Sequence, residues 1–264
     1  MKILVTVKEV ATVEDEFEIS GLDIDDRYLT YDLNEWDDYA IEEAVQISEA
    51  TDDVDVVTVT VGPERAEETI RMALAKGADR ALRIWDDNLD TAAFLDVSAK
   101  ADILAAVVEQ EAPDLVLTGV QADDDANGAT GVALAERVGF EWGAVVNALD
   151  LDTDGGVASV HRELEGGVEE LTDIELPAVL TIQTGINEPR YASLRGIRQA
   201  QQKDLDVQSL DDLGLDASVT ESAVTRTSMD EPEAESEAVV WEGSPEETAE
   251  ELAAFLRDTG VVEG

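Results

Sequence analysis

The chain alternates short apolar runs with segments of helical periodicity, and this alternation limits the folds open to it more than any other feature. Four apolar runs predict strands buried on both faces of a sheet: 2–7, 54–61, 114–119 and 176–181. Apolar side chains recur at helical spacing in the segments near 40–48, 63–77, 91–110 and 128–138. Strands and helices that alternate in this way form right-handed βαβ units, so we expect an α/β fold built on a parallel sheet.

Two segments depart from this alternation. Residues 157–172 alternate apolar and polar side chains around a turn at 165–167 (EGG) and predict a β-hairpin. The last part of the chain is acidic and lacks periodicity, which is typical of an extended arm. Within it, 244–247 (SPEE) form a capping box that predicts a short amphipathic helix. We therefore expect an α/β domain over 1–205 and an acidic arm over 206–264.

Acidic residues outnumber basic ones by 63 to 17, which gives a formal net charge of −46. Because the acids are spread along the whole chain, we expect a folded surface suited to a cytoplasm with molar salt, where the Debye length falls to about 3 Å. Such a surface argues against nucleic acids and anionic membranes as partners, since both require basic patches.

Cysteine is absent, which excludes disulfides and thiolate metal sites. Any redox chemistry would therefore require a bound organic cofactor. No apolar run approaches the roughly 20 residues of a membrane span, and no signal-peptide pattern is present, so we expect a soluble, cytoplasmic protein.

Segment 119–131 (GVQADDDANGATG) follows a predicted strand and precedes a predicted helix, which is where parallel sheets bind phosphates. Its small residues would let backbone N–H groups approach an anion closely, and Thr130 could add a hydroxyl. An EF-hand interpretation fails because the twelfth position is Leu134 instead of glutamate. From these residues alone, a solvated acidic turn explains the segment equally well.

Further segments carry a family resemblance. Val160-x-Arg162-Glu163 and a Gly166-Gly167 turn lead into Leu176-Pro177-Ala178-Val179, and Asn187-Glu188-Pro189-Arg190-Tyr191 follows. Together these motifs resemble the β subunits of electron transfer flavoproteins. Segments 61–81 and 119–131 are similar to that family as well. The resemblance covers roughly 1–205 and implies a Rossmann-like sheet of the adenine-nucleotide α-hydrolase-like type, with an added β-hairpin and a C-terminal arm.

The resemblance implies an AMP site, and it implies neither a catalytic residue nor a metal ligand. The residues matched to the AMP site are Thr6, Asn34, Glu35, Trp36, Asp37, Val61, Gly119, Gln121, Ala122, Asp124, Asn127, Gly128, Ala129, Thr130 and Gly131. At 128–129 this chain has Gly-Ala where conventional members usually carry Asn-Gln, so contacts there would come from the backbone. This chain also lacks the Asp-Gly-Asp and Gln-Val-Gly pattern that flavin-bifurcating members carry. Core packing explains Trp36 equally well.

Two further sites are implied. Arg162 and Glu163 would face a flavin, where a cation stabilises reduced, anionic forms. From chemistry alone, however, a surface salt bridge is the better explanation of Arg162. His161 is interpreted as a strand-face residue. A partner-binding loop is implied at Pro189, Arg190, Tyr191 and Leu194, with Leu194 as the apolar anchor.

In function, the chain resembles the β subunit of a heterodimer whose α subunit holds most of the FAD. Such a protein carries electrons from flavin dehydrogenases, such as acyl-CoA dehydrogenases, towards a membrane quinone oxidoreductase, and it is not itself an enzyme. Two alternatives remain open at this point. One is a bifurcating β subunit with a second FAD that oxidises NADH, and the other is a stand-alone adenine-nucleotide-binding protein of the same fold.

Overall fold

The computed structural model describes residues 1–92, 94–231 and 238–262. The chain divides into two compact units, Met1–Met229 and Asp230–Gly264. The first unit contains the sheet and continues beyond 205/206, the domain boundary that the sequence predicts. The second unit contains the C-terminal helix.

The described residues form thirteen strands. In chain order they are β1 (Lys2–Thr6), β2 (Glu9–Val13), β3 (Ile19–Ser20), β4 (Asp23–Ile24), β5 (Leu29–Leu33), β6 (Asp55–Val61), β7 (Arg80–Ile84), β8 (Leu115–Gly119), β9 (Glu141–Asp152), β10 (Val157–Leu164), β11 (Val168–Glu175), β12 (Ala178–Ile182) and β13 (Leu205–Gln208). Nine of them build one sheet in the order β11-β10-β9-β12-β8-β1-β6-β7-β13. The pairs β2–β5 and β3–β4 are small antiparallel sheets.

The large sheet is mixed and mostly parallel. Every neighbouring pair from β9 through β12, β8, β1, β6 and β7 to β13 is parallel. The hairpin β10–β11 adds to one edge, because β9 pairs in parallel with β12 and antiparallel with β10. The predicted α/β fold, with a parallel sheet and an added hairpin, is therefore confirmed.

The described residues also contain seven α-helices, which are α1 (Glu35–Ala50), α2 (Glu67–Lys76), α3 (Asp87–Thr91), α4 (Val97–Glu111), α5 (Thr130–Val138), α6 (Leu194–Ala200) and α7 (Pro245–Asp258). The helix predicted over 91–110 is present as α4, but it begins at Val97 instead of residue 91. Asp96 accepts the Ala99 N–H at 2.9 Å and starts a new helix, α4, after α3 has ended at Thr91. The capping box at Ser244 and Glu247 is confirmed, since each side chain accepts the other residue's backbone N–H.

Apolar side chains fill both faces of the sheet. In β1, Ile3 and Val5 point into the core beneath α1 and α2, whereas Leu4 points into the core beneath α4 and α5. This alternation follows from the two-residue period of a strand, and it explains why the parallel strands are apolar on both faces.

The order of the strands creates a crevice. The chain winds from β1 through β6 to β7 on one side and then places β8 on the other side of β1. The carboxyl ends of β1 and β8 thus meet at a topological switch point, where open α/β sheets bind their ligands. Among the described residues, no helix combines the length and the apolar character that crossing a membrane requires.

Candidate functional site

A cleft of about 80 Å³ lies at the carboxyl ends of β1 and β8. Its walls come from the ends of these strands, the start of α1, the helix α4 and the segment before α5. The lining residues are Thr6, Lys8, Asn34, Asp37, Lys100, Thr118, Gly119, Val120, Gln121, Ala122, Asp125, Gly128, Ala129 and Thr130. The sequence-predicted AMP residues and this cleft therefore coincide over most of their extent.

Asp37 joins the two strand ends. It lies buried in the first turn of α1, where one carboxylate oxygen accepts the Lys8 N–H at 2.8 Å and the other accepts the Gly119 N–H at 3.0 Å. Burial raises the pKa of Asp37 to about 7, although these two N–H donors act to lower it. The carboxylate therefore fixes the geometry of the cleft floor.

Asn34, at the N-cap of α1, holds the segment that follows β8. Its Nδ2 donates to the Gln121 carbonyl at 2.9 Å, and its Oδ1 accepts the Asp123 N–H at 3.2 Å. Its side chain makes no capping bond to its own helix. Asn34 is thus used to anchor the loop across the cleft.

Two lysines meet the acidic turn of this loop. Lys8 binds the carboxylate of Asp124 and approaches Asp125 Oδ2 at 3.1 Å, while Lys100 donates to the same Oδ2 at 2.6 Å. Burial acts to raise the pKa of Asp125, but the hydrogen bond from Lys100 and the charges of both lysines lower it to about 2. The cleft therefore holds two ammonium groups whose present partners are carboxylates of the same chain.

Sequence reasoning missed Lys8, Lys100 and Asp125 as cleft residues. A signal was present, because the chain contains only five lysines among its 264 residues and two of them line this cleft. In so acidic a chain, two of the five lysines at one cleft form a local concentration of positive charge.

Six predicted AMP residues do not line the cleft. Glu35 is exposed, Trp36 donates its Nε1–H to Gln183 Oε1 at 3.2 Å, and Val61 packs against the core beneath α4. Asp124 holds Lys8, and Asn127 is exposed. Gly131 lies buried at the start of α5, where an added Cβ would come within 2.5 Å of Thr118 Oγ1 and 2.6 Å of Thr181 Cγ2.

Gly131 therefore allows close packing of α5 on the sheet. This packing sets the N-terminus of α5, and with it Thr130, against the end of β8. The partial positive charge at that terminus adds to the two ammonium groups, so the residues present suit an anion such as a phosphate.

The hairpin carries unsatisfied polar groups. Arg162 Nη1 lies 3.5 Å from Glu170 Oε1, whereas its Nε is buried and has no hydrogen-bond partner within the described residues. The Oδ1 atom of Asn147, on the adjacent β9, is also buried and has no hydrogen-bond partner within the described residues. Glu163 is exposed, and His161 Nε2 lies 3.4 Å from Glu169 Oε2 on the strand face. The hairpin thus offers one unpaired donor, Arg162 Nε, on the strand next to one edge of the sheet.

Residues 187–194, which we call the recognition loop, project apolar side chains from a fixed base. Tyr191 is 98% exposed and Leu194 is 80% exposed. The side chain of Arg190, which follows Pro189, lies against α1 instead. There its guanidinium binds Glu42 and Glu49.

These features can be compared with known proteins. The model of the electron transfer flavoprotein domain matches residues 21–213. An electron transfer flavoprotein subunit β of Methylophilus methylotrophus is 50% identical over 220 residues, which cover 82% of each chain. Subunits β of Syntrophomonas wolfei and Bacillus subtilis are each 34% identical over 263 residues and nearly the full length of both chains.

The chain belongs to the electron transfer flavoprotein β-subunit family. The resemblance drawn from the hairpin and from 187–191 is therefore confirmed. Electron transfer flavoprotein β subunits are electron carriers and not catalytic enzymes, and membership implies an α-subunit partner. Among the described residues, no cluster of three or more His, Cys, Asp or Glu side chains could hold a metal ion.

Proposed function

We propose that this β subunit forms a conventional electron transfer flavoprotein with its α subunit and binds AMP in the cleft between β1 and β8. The observation that carries the proposal is the pair of ammonium groups, Lys8 and Lys100, at a topological switch point of a chain with net charge −46. A phosphate dianion is held in such a chain only where local cations and a helix N-terminus outweigh the surrounding acids.

The residues of the cleft suit the parts of AMP. Lys8, Lys100 and Thr130 would hold the phosphate, with backbone N–H groups near Gly128 in support. Because a cleft of about 80 Å³ can hold the phosphate but not the whole nucleotide, the adenosine would extend out of it past Thr6 and the start of α1. For the phosphate to bind, the lysines must exchange their present partners, Asp124 and Asp125, for phosphate oxygens. Five other residues would lie next to this site and not in the cleft itself: Glu35, Trp36, Val61, Asn127 and Gly131.

The FAD, which supplies the electron storage when bound, would be held with the α subunit next to the hairpin. The unpaired Nε of Arg162 fits this role, because a buried donor without a partner is costly unless a bound group satisfies it. The Arg162 charge would stabilise reduced, anionic forms, and Glu163 would lie at the same edge.

The recognition loop would dock flavin dehydrogenases, such as acyl-CoA dehydrogenases, and transiently a membrane quinone oxidoreductase as the electron acceptor. Tyr191 and Leu194 are exposed apolar side chains on an otherwise charged surface, which is how small, transient interfaces are usually anchored. The acidic surface suits a cytoplasm with molar salt. The segment after 205 would take no part in binding the nucleotide, although its first part belongs to the unit that contains the sheet.

The deciding experiment is coexpression with the α subunit, purification in molar KCl, and measurement of FAD and AMP per heterodimer. One FAD and one AMP support the proposal. Two FAD and no AMP would instead assign the chain to the flavin-bifurcating type, in which the cleft holds a second FAD. A chain that is purified alone and without flavin would contradict the electron-carrier proposal.

A further inference from the structure

The recognition loop is tied to the body of the protein at a residue next to its exposed side chains. The Arg190 N–H donates to Glu42 Oε2 at 3.1 Å, and its Nε donates to the same oxygen at 2.8 Å. Its Nη2 donates to Glu42 Oε1 at 3.0 Å and to Glu49 Oε2 at 2.9 Å, while Nη1 donates to Glu49 Oε1 at 2.6 Å. The carbonyl oxygen of Arg190 accepts from Lys76 Nζ at 2.9 Å. The backbone and the whole guanidinium of Arg190 are thus committed to α1 and α2.

Neighbouring positions of the loop are fixed as well. Asn187 Nδ2 donates to the Tyr39 carbonyl at 3.1 Å and to Glu43 Oε2 at 2.9 Å, both on α1. Ser193 Oγ accepts the Gly196 N–H at 3.0 Å and caps α6. Between these points, the side chain of Tyr191 is almost fully exposed.

We propose that Arg190 is a positioning residue, which acts through Glu42 and Glu49 of α1 to present Tyr191 and Leu194 in one fixed arrangement, and that it does not contact the partner itself. This inference rests on the proposed partner-binding function of the loop. Because a loop that is ordered before docking loses less conformational entropy when it binds, the fixed arrangement strengthens association without adding a contact.

The chemistry of the clamp favours arginine. Glu42 is nearly buried, with 6% of its side chain exposed, and a forked guanidinium can bind it and Glu49 at the same time. A lysine offers one ammonium group and cannot reproduce both bidentate contacts. The clamp also lies on α1, which has Asn34 at its N-cap and Asp37 in its first turn, so one rigid element carries both the cleft wall and the base of the loop.

The first test is amide hydrogen exchange over 187–196 in the protein as purified, with its α subunit where the two copurify. Arg190→Ala and Arg190→Lys should speed exchange about tenfold or more in this segment. Arg137→Ala is the matched control, because it breaks an arginine–carboxylate pair, with Asp102, far along the chain. Glu49→Gln, which removes only the exposed end of the clamp, should give a smaller increase. Exchange unchanged in Arg190→Ala would overturn the inference.

The second test is a double-mutant cycle, with an acyl-CoA dehydrogenase as electron donor. Arg190→Ala should raise KM for the flavoprotein about tenfold and leave kcat unchanged, and it should add little once Tyr191 and Leu194 are both already alanine. Fully additive effects would mean that Arg190 contacts the partner directly, which would also overturn the inference. If the wild-type heterodimer accepts no electrons at all, the proposed function fails, while the exchange experiment still decides how the loop is held.

Discussion

The carboxylate of Asp37 accepts the backbone N–H of Gly119 at 3.0 Å, so a side chain of α1 is bonded directly to the end of β8. Its other oxygen accepts the N–H of Lys8, just beyond β1. The approach is tight, because a Cβ added to Gly119 would come within 2.6 Å of both Asp37 Oδ1 and Trp36 Cβ. The two neighbouring strand ends that form the cleft are therefore held together by a buried acid.

This buried acid predicts a specific pH dependence of stability. Burial raises the pKa of Asp37 from 3.8 to about 7, so between these values the folded protein holds a proton that the unfolded chain has lost. The contribution of Asp37 to the free energy of unfolding should therefore fall as the pH rises from about 4 to 7, by at most about 1.4 kcal/mol per pH unit.

Asp37→Asn should abolish this component. We expect the stability of the wild type relative to Asp37→Asn to decrease from pH 4 to pH 8, as measured by urea unfolding in molar KCl. Comparison with the variant is needed because burial also raises the pKa of Glu43 and Asp38. A stability difference that stays constant over this range would show that Asp37 is ionised throughout.

The two cleft lysines predict a change in nucleotide affinity. Lys8→Met and Lys100→Met should each weaken AMP binding about tenfold or more, because a charge-assisted hydrogen bond contributes roughly 1.5–3 kcal/mol. Titration calorimetry on the nucleotide-free heterodimer in molar KCl measures this. Lys2→Met is the matched control, since Lys2 also pairs with an acid, Glu111, but stands at the opposite end of β1. Equal affinities in all three variants would contradict the assignment of the phosphate site.

The sequence predicted the strands of the sheet interior well, because β1, β6, β8 and β12 are apolar on both faces. It missed β7, β9 and β13, whose patterns are interrupted by charged or exposed residues such as Arg83 and Trp142. Such a segment becomes a strand because it pairs with a neighbouring strand. The local pattern of apolar residues carries no information about that neighbour.

The candidate site likewise has one part that the sequence predicts and another that it does not. Segment 119–131 could be predicted because loop, helix start and small residues are contiguous. Lys100 and the role of Glu42 could not, since Lys100 reaches Asp125 from α4 and Glu42 binds Arg190 across 148 positions of the chain. Contacts of this kind depend on how helices and strands pack in the folded protein, so they are hard to predict from a single sequence.

We predict that an alanine at Gly131 destabilises the fold more than an alanine at Gly143, another glycine with a close neighbour. Gly131→Ala should lower the free energy of unfolding by about 1–3 kcal/mol, because its Cβ would meet the stiff, β-branched side chains of Thr118 and Thr181 in buried strands. The control is Gly143→Ala, whose Cβ would meet the flexible end of Ile174 at 2.7 Å. We expect a smaller loss there, by urea unfolding. If the control variant lost as much stability, the fit of α5 on the sheet would not be the cause.

The excess of acidic residues predicts that the fold requires salt. With a net charge of −46, the folded chain repels itself, and the range of that repulsion extends from about 3 Å in 1 M salt to about 10 Å in 0.1 M. The melting temperature should therefore rise steeply between dilute buffer and molar KCl. An uncharged osmolyte such as sucrose serves as the control, because it favours the compact state without screening charge. We expect KCl to stabilise far more than sucrose at equal concentration, and a melting temperature indifferent to KCl would show that the acidic surface does not limit stability.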